Sequence, residues 1–520
     1  MHYIIRDTLK ILSFGRILNY RWLVGTATMA ARRGWCLHRT PAGIIRDISK
    51  FLAFFVLCTM LFFLNISSGY SQSKPRAYYL NNSGSDKNPG SKRRPFKTIQ
   101  RINKVKLRLG DSVLLKGDQV YKGTLTIINV KPGITKVPLY ISSYGEGVAI
   151  IDGDNKNALI ANGINFLQIN SLRIKGSGRK KGNNSNGVVI NNCSNVSIAD
   201  LAISGFQKSG LLINSSSNVI VSKVHAFENG RAGILIEGQN GKKDSKNILI
   251  KDCLAENNPG DPTMLTNHSG NGILVGHSTS VKIEYCVATN NGWDMPRIGN
   301  GPVGIWCYES DSISIQYCIS FRNKTSKGGD DGGGFDLDGG VTNSVIRYCL
   351  SYENQGSAFG IFQYAGASPW NNNTISNNIS ENDGVISAAR ASAYIWNSSN
   401  DAEQFMNLSF YKNILFSSEG ACIHYAEQSN RKLFDFHDNL FIGKNRILVG
   451  DQATDSYKNN SSWIFLSEHR KDSLNDISRN IENSILLQEN PGYKTIGNTI
   501  TDPHKLKLTI DGQLSDYLSK

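Results

Sequence analysis

Thirteen residues, Gly328 to Gly340, gather most of the chemistry this chain offers: Asp330, Asp331, Asp336 and Asp338 stand among seven glycines. Phe335-Asp336-Leu337-Asp338 alternates apolar and acidic residues. Read as a strand, it turns Phe335 and Leu337 inward and both carboxylates outward. Two residues along a strand place the two Cα atoms about 6.6 Å apart on one face. Like charges so close raise one pKa, so one carboxyl keeps a proton near neutral pH while its neighbour ionises. Such a pair suits glycosidic-bond cleavage, as acid and base or acid and nucleophile, with Asp331 a third candidate. An oxygen-rich cluster also suits Ca²⁺, with Asp330 and Asp331 as ligands. A lyase built that way needs a cationic base, and Arg297 and Lys327 lie on nearby loops. The remaining alternative is a solvated glycine-rich turn.

The strand must be held by a repeat. Asn195-Val196-Ser197-Ile198, Asn218-Val219-Ile220-Val221, Asn247-Ile248-Leu249-Ile250, Ser280-Val281-Lys282-Ile283 and Ser312-Ile313-Ser314-Ile315 are one short strand recurring at 23, 29, 33 and 32 residues. A second strand, opened by glycine, precedes each: Gly187, Gly210, Gly233, Gly272, Gly304 and Gly334. Strand repeats of this length without helical periodicity mean a β-solenoid. Cys253, Cys286, Cys318 and Cys349 share one register, and Asn258, Asn291, Asn323 and Asn354 follow each by five residues. The cysteines read as small buried hydrophobes, since no CxxC pair exists. The asparagines read as a stack that satisfies turn backbone.

Insertions fall at one place in the repeat: Pro259–Asn271, Gly292–Val303 and Lys324–Gly333. Three enlarged turns on consecutive coils wall a groove along the glycine-opened strands. The outward positions run Val189, Leu212, Leu235, Leu274, then Trp306 and Tyr308, then Asp336 and Asp338. Phe362 and Tyr364 follow, unless Phe359 or Gly360 shifts the register by one. Trp306 is expected to be exposed as a platform for a sugar ring, unless a loop covers it. Tyr308, Trp293, Glu237, Arg297 and Lys327 are further substrate-binding candidates; Asp294, His268 and His277 are weaker ones.

Phe51–Ile66 is apolar, follows Arg46 and Lys50, and ends at Ser67-Ser68-Gly69. It reads as a signal peptide rather than a stable membrane anchor, which implies a secreted, periplasmic or cell-surface protein. Removing the nine Lys/Arg and two Asp/Glu of residues 1–71 lowers the net charge from +15 to +8. A basic exported protein suits an acidic polysaccharide, and no motif points to nucleic acid. The expected organisation is a leader (1–71), an N-terminal cap with the first coils (72–160), the solenoid (161–445) and a C-terminal cap (446–520), acting as a monomer.

The cysteine and asparagine ladders resemble those of the pectate-lyase-like right-handed parallel β-helix superfamily, over about residues 78–445. That resemblance implies an all-β, single-stranded right-handed parallel β-helix active on carbohydrate. The opening run, with Phe96, Ile99, Ile102 and Val105 behind Pro95, resembles the short N-terminal capping helix of such enzymes. The paired aspartates are similar to those of polygalacturonase-type hydrolases, but the Asn-Thr-Asp and Gly-His-Gly motifs of that group are absent. Hydrolase, Ca²⁺-assisted polyuronate lyase, uronate epimerase and a non-catalytic carbohydrate-binding or adhesive solenoid all remain open. Fold alone does not choose among them.

Overall fold

The computed structural model describes residues 74–133, 136–180, 184–384, 391–443, 447–450, 455–464, 481–482, 485–487 and 490–518. Phe51–Ile66, the segment expected to be a signal peptide, lies outside the described residues. Among those described, no helix is long and apolar enough to cross a membrane.

The chain winds into a parallel β-helix. The glycine-opened strands stack, one per coil, within a twelve-stranded sheet. Its register places Val189, Leu212, Leu235, Leu274, Trp306 and Asp336 in one row, as the sequence predicts. The row continues through Gly360 and Tyr394; Phe359 and Ile361 stay in the core and Phe362 stays outward, so the one-residue shift does not occur, and Gly360 rather than Phe362 is the residue opposite Asp336. Inside the coil, Ile, Val and Leu side chains from successive turns pack into a continuous core. Each fully buried one stabilises by about 1.5–3 kcal/mol.

Both ladders form. Asn229, Asn258, Asn291, Asn323 and Asn354 each donate Nδ2 to the next rung's acceptor at 2.7–3.1 Å, and all are buried. This ladder explains the glycines that open the strands. A Cβ at Gly210, Gly233, Gly272, Gly304 or Gly334 would meet the stacked asparagine's Nδ2 at 2.6–3.1 Å. Cys253, Cys286, Cys318 and Cys349 are buried free thiols. In the following coil Asn378 takes the cysteine position, accepting from Cys349 N–H at 2.9 Å, and a second asparagine ladder runs on through Asn413, Asn439 and Asn460.

The first asparagine ladder ends on a carboxylate. Asp383 Oδ1 accepts from Asn354 Nδ2 at 2.7 Å and Oδ2 accepts from Ser380 Oγ at 2.8 Å. Burial outweighs these bonds and raises its pKa to about 7. A folded pKa above the unfolded carboxyl value near 4 means stability that is full below about pH 4 and lost as pH rises through 7. Asp383→Asn keeps the acceptor and removes the charge. Its melting temperature should exceed the parent's by a margin that widens from pH 5 to pH 8, on the order of a few kcal/mol in stability. A margin that is flat or narrows would show that Asp383 is not protonated in the fold.

The N-terminal capping helix requires correction. It is reduced to one turn, Ile99–Ile102, capped by Thr98, and the substantial helix is C-terminal, Leu506–Leu518. The apolar period of three explains the shortfall: three-residue spacing belongs to i→i+3 turns, and Lys104 and Val105 donate in that pattern to Arg101 and Ile102. The C-terminal helix buries Leu506, Ile510 and Leu514 against Ile319, Leu350, Tyr352 and Ile379 on the outside of the solenoid. Residues 490–518 therefore lie lengthwise on its flank. Glu381 anchors Tyr493, Ile496 and Gly497, and His504 stacks on Tyr285 while bonding Asp252.

Candidate active site

The three enlarged turns stand side by side as the spacing predicts. Asp294 N–H donates to Pro259 O, Asp330 N–H to Gly299 O and Gly332 N–H to Pro302 O, at 2.8–2.9 Å. With four strands, Val303–Tyr308, Gly333–Leu337, Phe359–Gln363 and Ala391–Asn397, they enclose a cavity of about 350 Å³. Asp330, Asp331, Asp336 and Asp338 all line it, facing His268, Trp306, Phe362, Tyr394 and Trp396.

The carboxylates point out of the coil, and the loops and the aromatic side chains of later coils shield them unequally: Asp330 is exposed and Asp331 and Asp338 are half-buried, while Asp336 does not face open water as the sequence suggests. Asp336 is only 2% exposed. Its Oδ1 is buried and has no hydrogen-bond partner among the described residues. Burial, reinforced by the charges of Asp338 and Asp331, pushes its carboxyl well above the usual range. Burial also raises Asp338 to about 7, although Gly339 N–H donates to its Oδ1 at 2.7 Å, and Asp331 and Glu309 add repulsion. Asp331 rises to about 6, from burial and the charge of Asp330, despite a 2.8 Å bond from Gly301 N–H and the Arg297 charge. The site therefore holds protons near neutral pH, with burial the leading cause and like charge the second.

Gly360 makes the room. It stands opposite Asp336, where a Cβ would lie 2.8 Å from the Asp336 Cγ. The aromatic wall comes from one coil further on. Phe362 meets Tyr394 and Trp396 edge to face at 5.8 and 6.4 Å. Sequence reading missed Tyr394 and Trp396, although the alternation Ala393-Tyr394-Ile395-Trp396 marks them as outward neighbours once Gly360 is set opposite Asp336.

Trp306 contradicts its expected exposure. It lies in the predicted row, yet only 3% of it is exposed, packed with Leu235, Leu274 and Val303. Its Nε1–H donates to Asn271 Oδ1 at 2.9 Å, and His268 packs edge-on at 4.7 Å. The first enlarged loop has folded down over it. Tyr308 and Glu237 do not line the cavity. Tyr308 donates its hydroxyl to Glu237 Oε2 at 2.8 Å, and His277 bonds the other oxygen at 2.8 Å, forming a cluster beside the cavity. Trp293 is 43% exposed, bonds Asn257 and lies under Arg179, whose guanidinium pairs with Asp294. Arg297 bonds Asn300 O and reaches the site only as a charge felt by Asp331 and His268. Lys327 is exposed and lines nothing here.

Among the described residues, no group of three or more His, Cys, Asp or Glu side chains is placed to hold a metal ion, so Asp330 and Asp331 have no third such side chain to join them around Ca²⁺.

A parallel β-helix with buried acids in an aromatic cleft on one sheet face is a recognisable class of molecule. This chain belongs to the Pel9A-like right-handed β-helix family, whose model matches residues 78–400. No curated protein matches the sequence. Similar solved structures include GH136 lacto-N-biosidase from Eubacterium ramulus, at 16% identity and TM-score 0.45, covering 72% of this chain and 68% of that one. Pectate lyase Pel9A is similar at 16% identity and TM-score 0.40, covering 75% and 80%. A complex of XylC with xylose is similar at 9% identity and TM-score 0.45, covering 80% and 87%. At such identities the likeness is one of fold.

Proposed function

We propose that this chain is an exported glycoside hydrolase that cleaves a polysaccharide, with Asp336 as general acid and Asp338 as its partner carboxylate. One observation carries the reading: two carboxyl groups, two residues apart on one strand, hold raised pKa values inside an aromatic-lined cavity. Asp336 keeps its proton and gives it to the leaving glycosidic oxygen as the C–O bond breaks. Asp338, whose ionised form is supported by Gly339 N–H, takes a proton from the attacking water or attacks the anomeric carbon itself. Asp331 sets the local charge. Phe362, Tyr394 and Trp396 bind the apolar faces of the sugar rings and keep water away.

Similar folds include pectate, rhamnogalacturonan and alginate lyases as well as the lacto-N-biosidase, so the test must separate the two chemistries. Polygalacturonate, alginate, rhamnogalacturonan and xylan are to be incubated with the full chain. New reducing ends and unsaturated uronate absorbance should be measured together, with and without chelator. Hydrolysis predicts reducing ends without unsaturated product and no chelator effect. Unsaturated product would assign the site to β-elimination. Saturable binding of all four without cleavage would make the chain a carbohydrate-binding solenoid.

A further inference from the structure

The roof of the cavity holds a histidine whose proton can be located from its neighbours. Asn271 Oδ1 accepts from Trp306 Nε1–H at 2.9 Å and from Val303 N–H at 3.3 Å. Both partners are donors only, so this end of the amide is the oxygen. The other end is then NH₂, and it donates to Arg231 O at 3.0 Å and to His268 Nδ1 at 3.2 Å. A ring nitrogen that accepts a hydrogen bond carries no proton, so His268 holds its proton on Nε2. His268 lines the cavity, and its Nε2 has no hydrogen-bond partner among the described residues.

The surroundings keep this imidazole neutral. The charges that bear on it are Arg231 and Arg297; the cavity it shares also holds Asp330, Asp331, Asp336 and Asp338. The Arg231 Nε is buried without a hydrogen-bond partner among the described residues. Burial first, and the two guanidinium charges second, lower the His268 pKa to about 3. A neutral imidazole of fixed tautomer is a donor at one atom only and cannot compete with Asp336 as a proton source.

We infer that His268 is a substrate-positioning residue whose Nε2–H donates to an oxygen of the sugar bound against the Asp336–Asp338 pair, with Asn271 and Trp306 setting its tautomer. This rests on the hydrolase reading for the identity of the ligand but not for the state of the ring. The geometry suits an uncharged donor: it orients the sugar in every protonation state of the acid pair, so it adds no ionisation of its own to the pH profile.

The test has two arms on the full chain. In the first, ¹⁵N-histidine labelling and NMR read the ring without any substrate. Protonation at Nε2, unchanged from pH 5 to pH 8, is the expected result. Protonation at Nδ1, or titration in the ordinary histidine range, overturns the inference. In the second arm, kcat and KM are measured on the best-cleaved polysaccharide of the panel. His268→Phe should lower kcat/KM at least tenfold without moving the pH profile, and His268→Gln, which restores an N–H, should recover part of the loss. His268→Phe at parental kcat/KM, or a pH limb that disappears with the ring, overturns it. Should the variant fail to fold, His268→Gln and the NMR arm still decide. Failure of the hydrolase reading shows separately, as full activity in variants of the acid pair.

Discussion

Asp336→Asn and Asp338→Asn should each lower kcat by about 10²–10⁴-fold, the usual loss on removing one general acid or base. Neither should lower the melting temperature. Asn keeps the shape of Asp336, and the Oδ1 it replaces makes no hydrogen bond that could be lost. Because burial raises both folded pKa values, ionising these carboxyls costs stability. Their stability contribution is full below about pH 4 and is lost as pH rises through the folded pKa, so the amide variants should melt higher than the parent at pH 8. Activity in the parent should fall on the acid side as Asp338, needed as a carboxylate, takes up a proton below about 7, and on the alkaline side as Asp336, raised well above the usual range, loses the proton it must donate. The pair shares its protons, so the limbs report the pair rather than either residue. Circular dichroism, melting curves and a pH–rate profile on the best substrate check all of this. Activity retained in both variants would place the chemistry elsewhere and remove the basis of the hydrolase reading.

The solenoid was legible because it is written redundantly. The central coils repeat an inward apolar residue, a cysteine followed five residues on by an asparagine, and an opening glycine, so one misread coil does not disturb the register. The acid pair was legible for a related reason: period two fixes which side chains share a face, and Asp336 ends a row that runs Val189, Leu212, Leu235, Leu274 and Trp306 before it. What escaped depends on contacts between segments distant in sequence. Tyr394 enters the cavity only because Gly360, not Phe362, stands opposite Asp336. His268 reads as a stray loop residue until Asn271, Val303 and Trp306 are brought together. Glu237 looks like an available carboxylate until Tyr308 and His277 occupy both oxygens.

Trp306→Ala should cost about 3–5 kcal/mol of stability, the range for removing a buried large aromatic side chain. The indole fills the space between Leu235, Leu274 and Val303, and no neighbouring coil can collapse into the gap, because each strand is held by parallel ladders on both sides. The substitution also takes the Nε1–H from Asn271 Oδ1, leaving Val303 N–H as its one donor among the described residues. Asn271 can then rotate, and the tautomer of His268 is no longer fixed. Activity should therefore fall beyond what unfolding explains at the assay temperature. Trp306→Phe separates the two effects: it keeps most of the packing and removes only the N–H. Its midpoint in urea should shift by less than half as much as that of Trp306→Ala, while its kcat/KM falls toward the value for His268→Phe. A Trp306→Ala midpoint indistinguishable from the parent's would mean that the indole faces solvent, and the roof built on Asn271 would have to be redrawn.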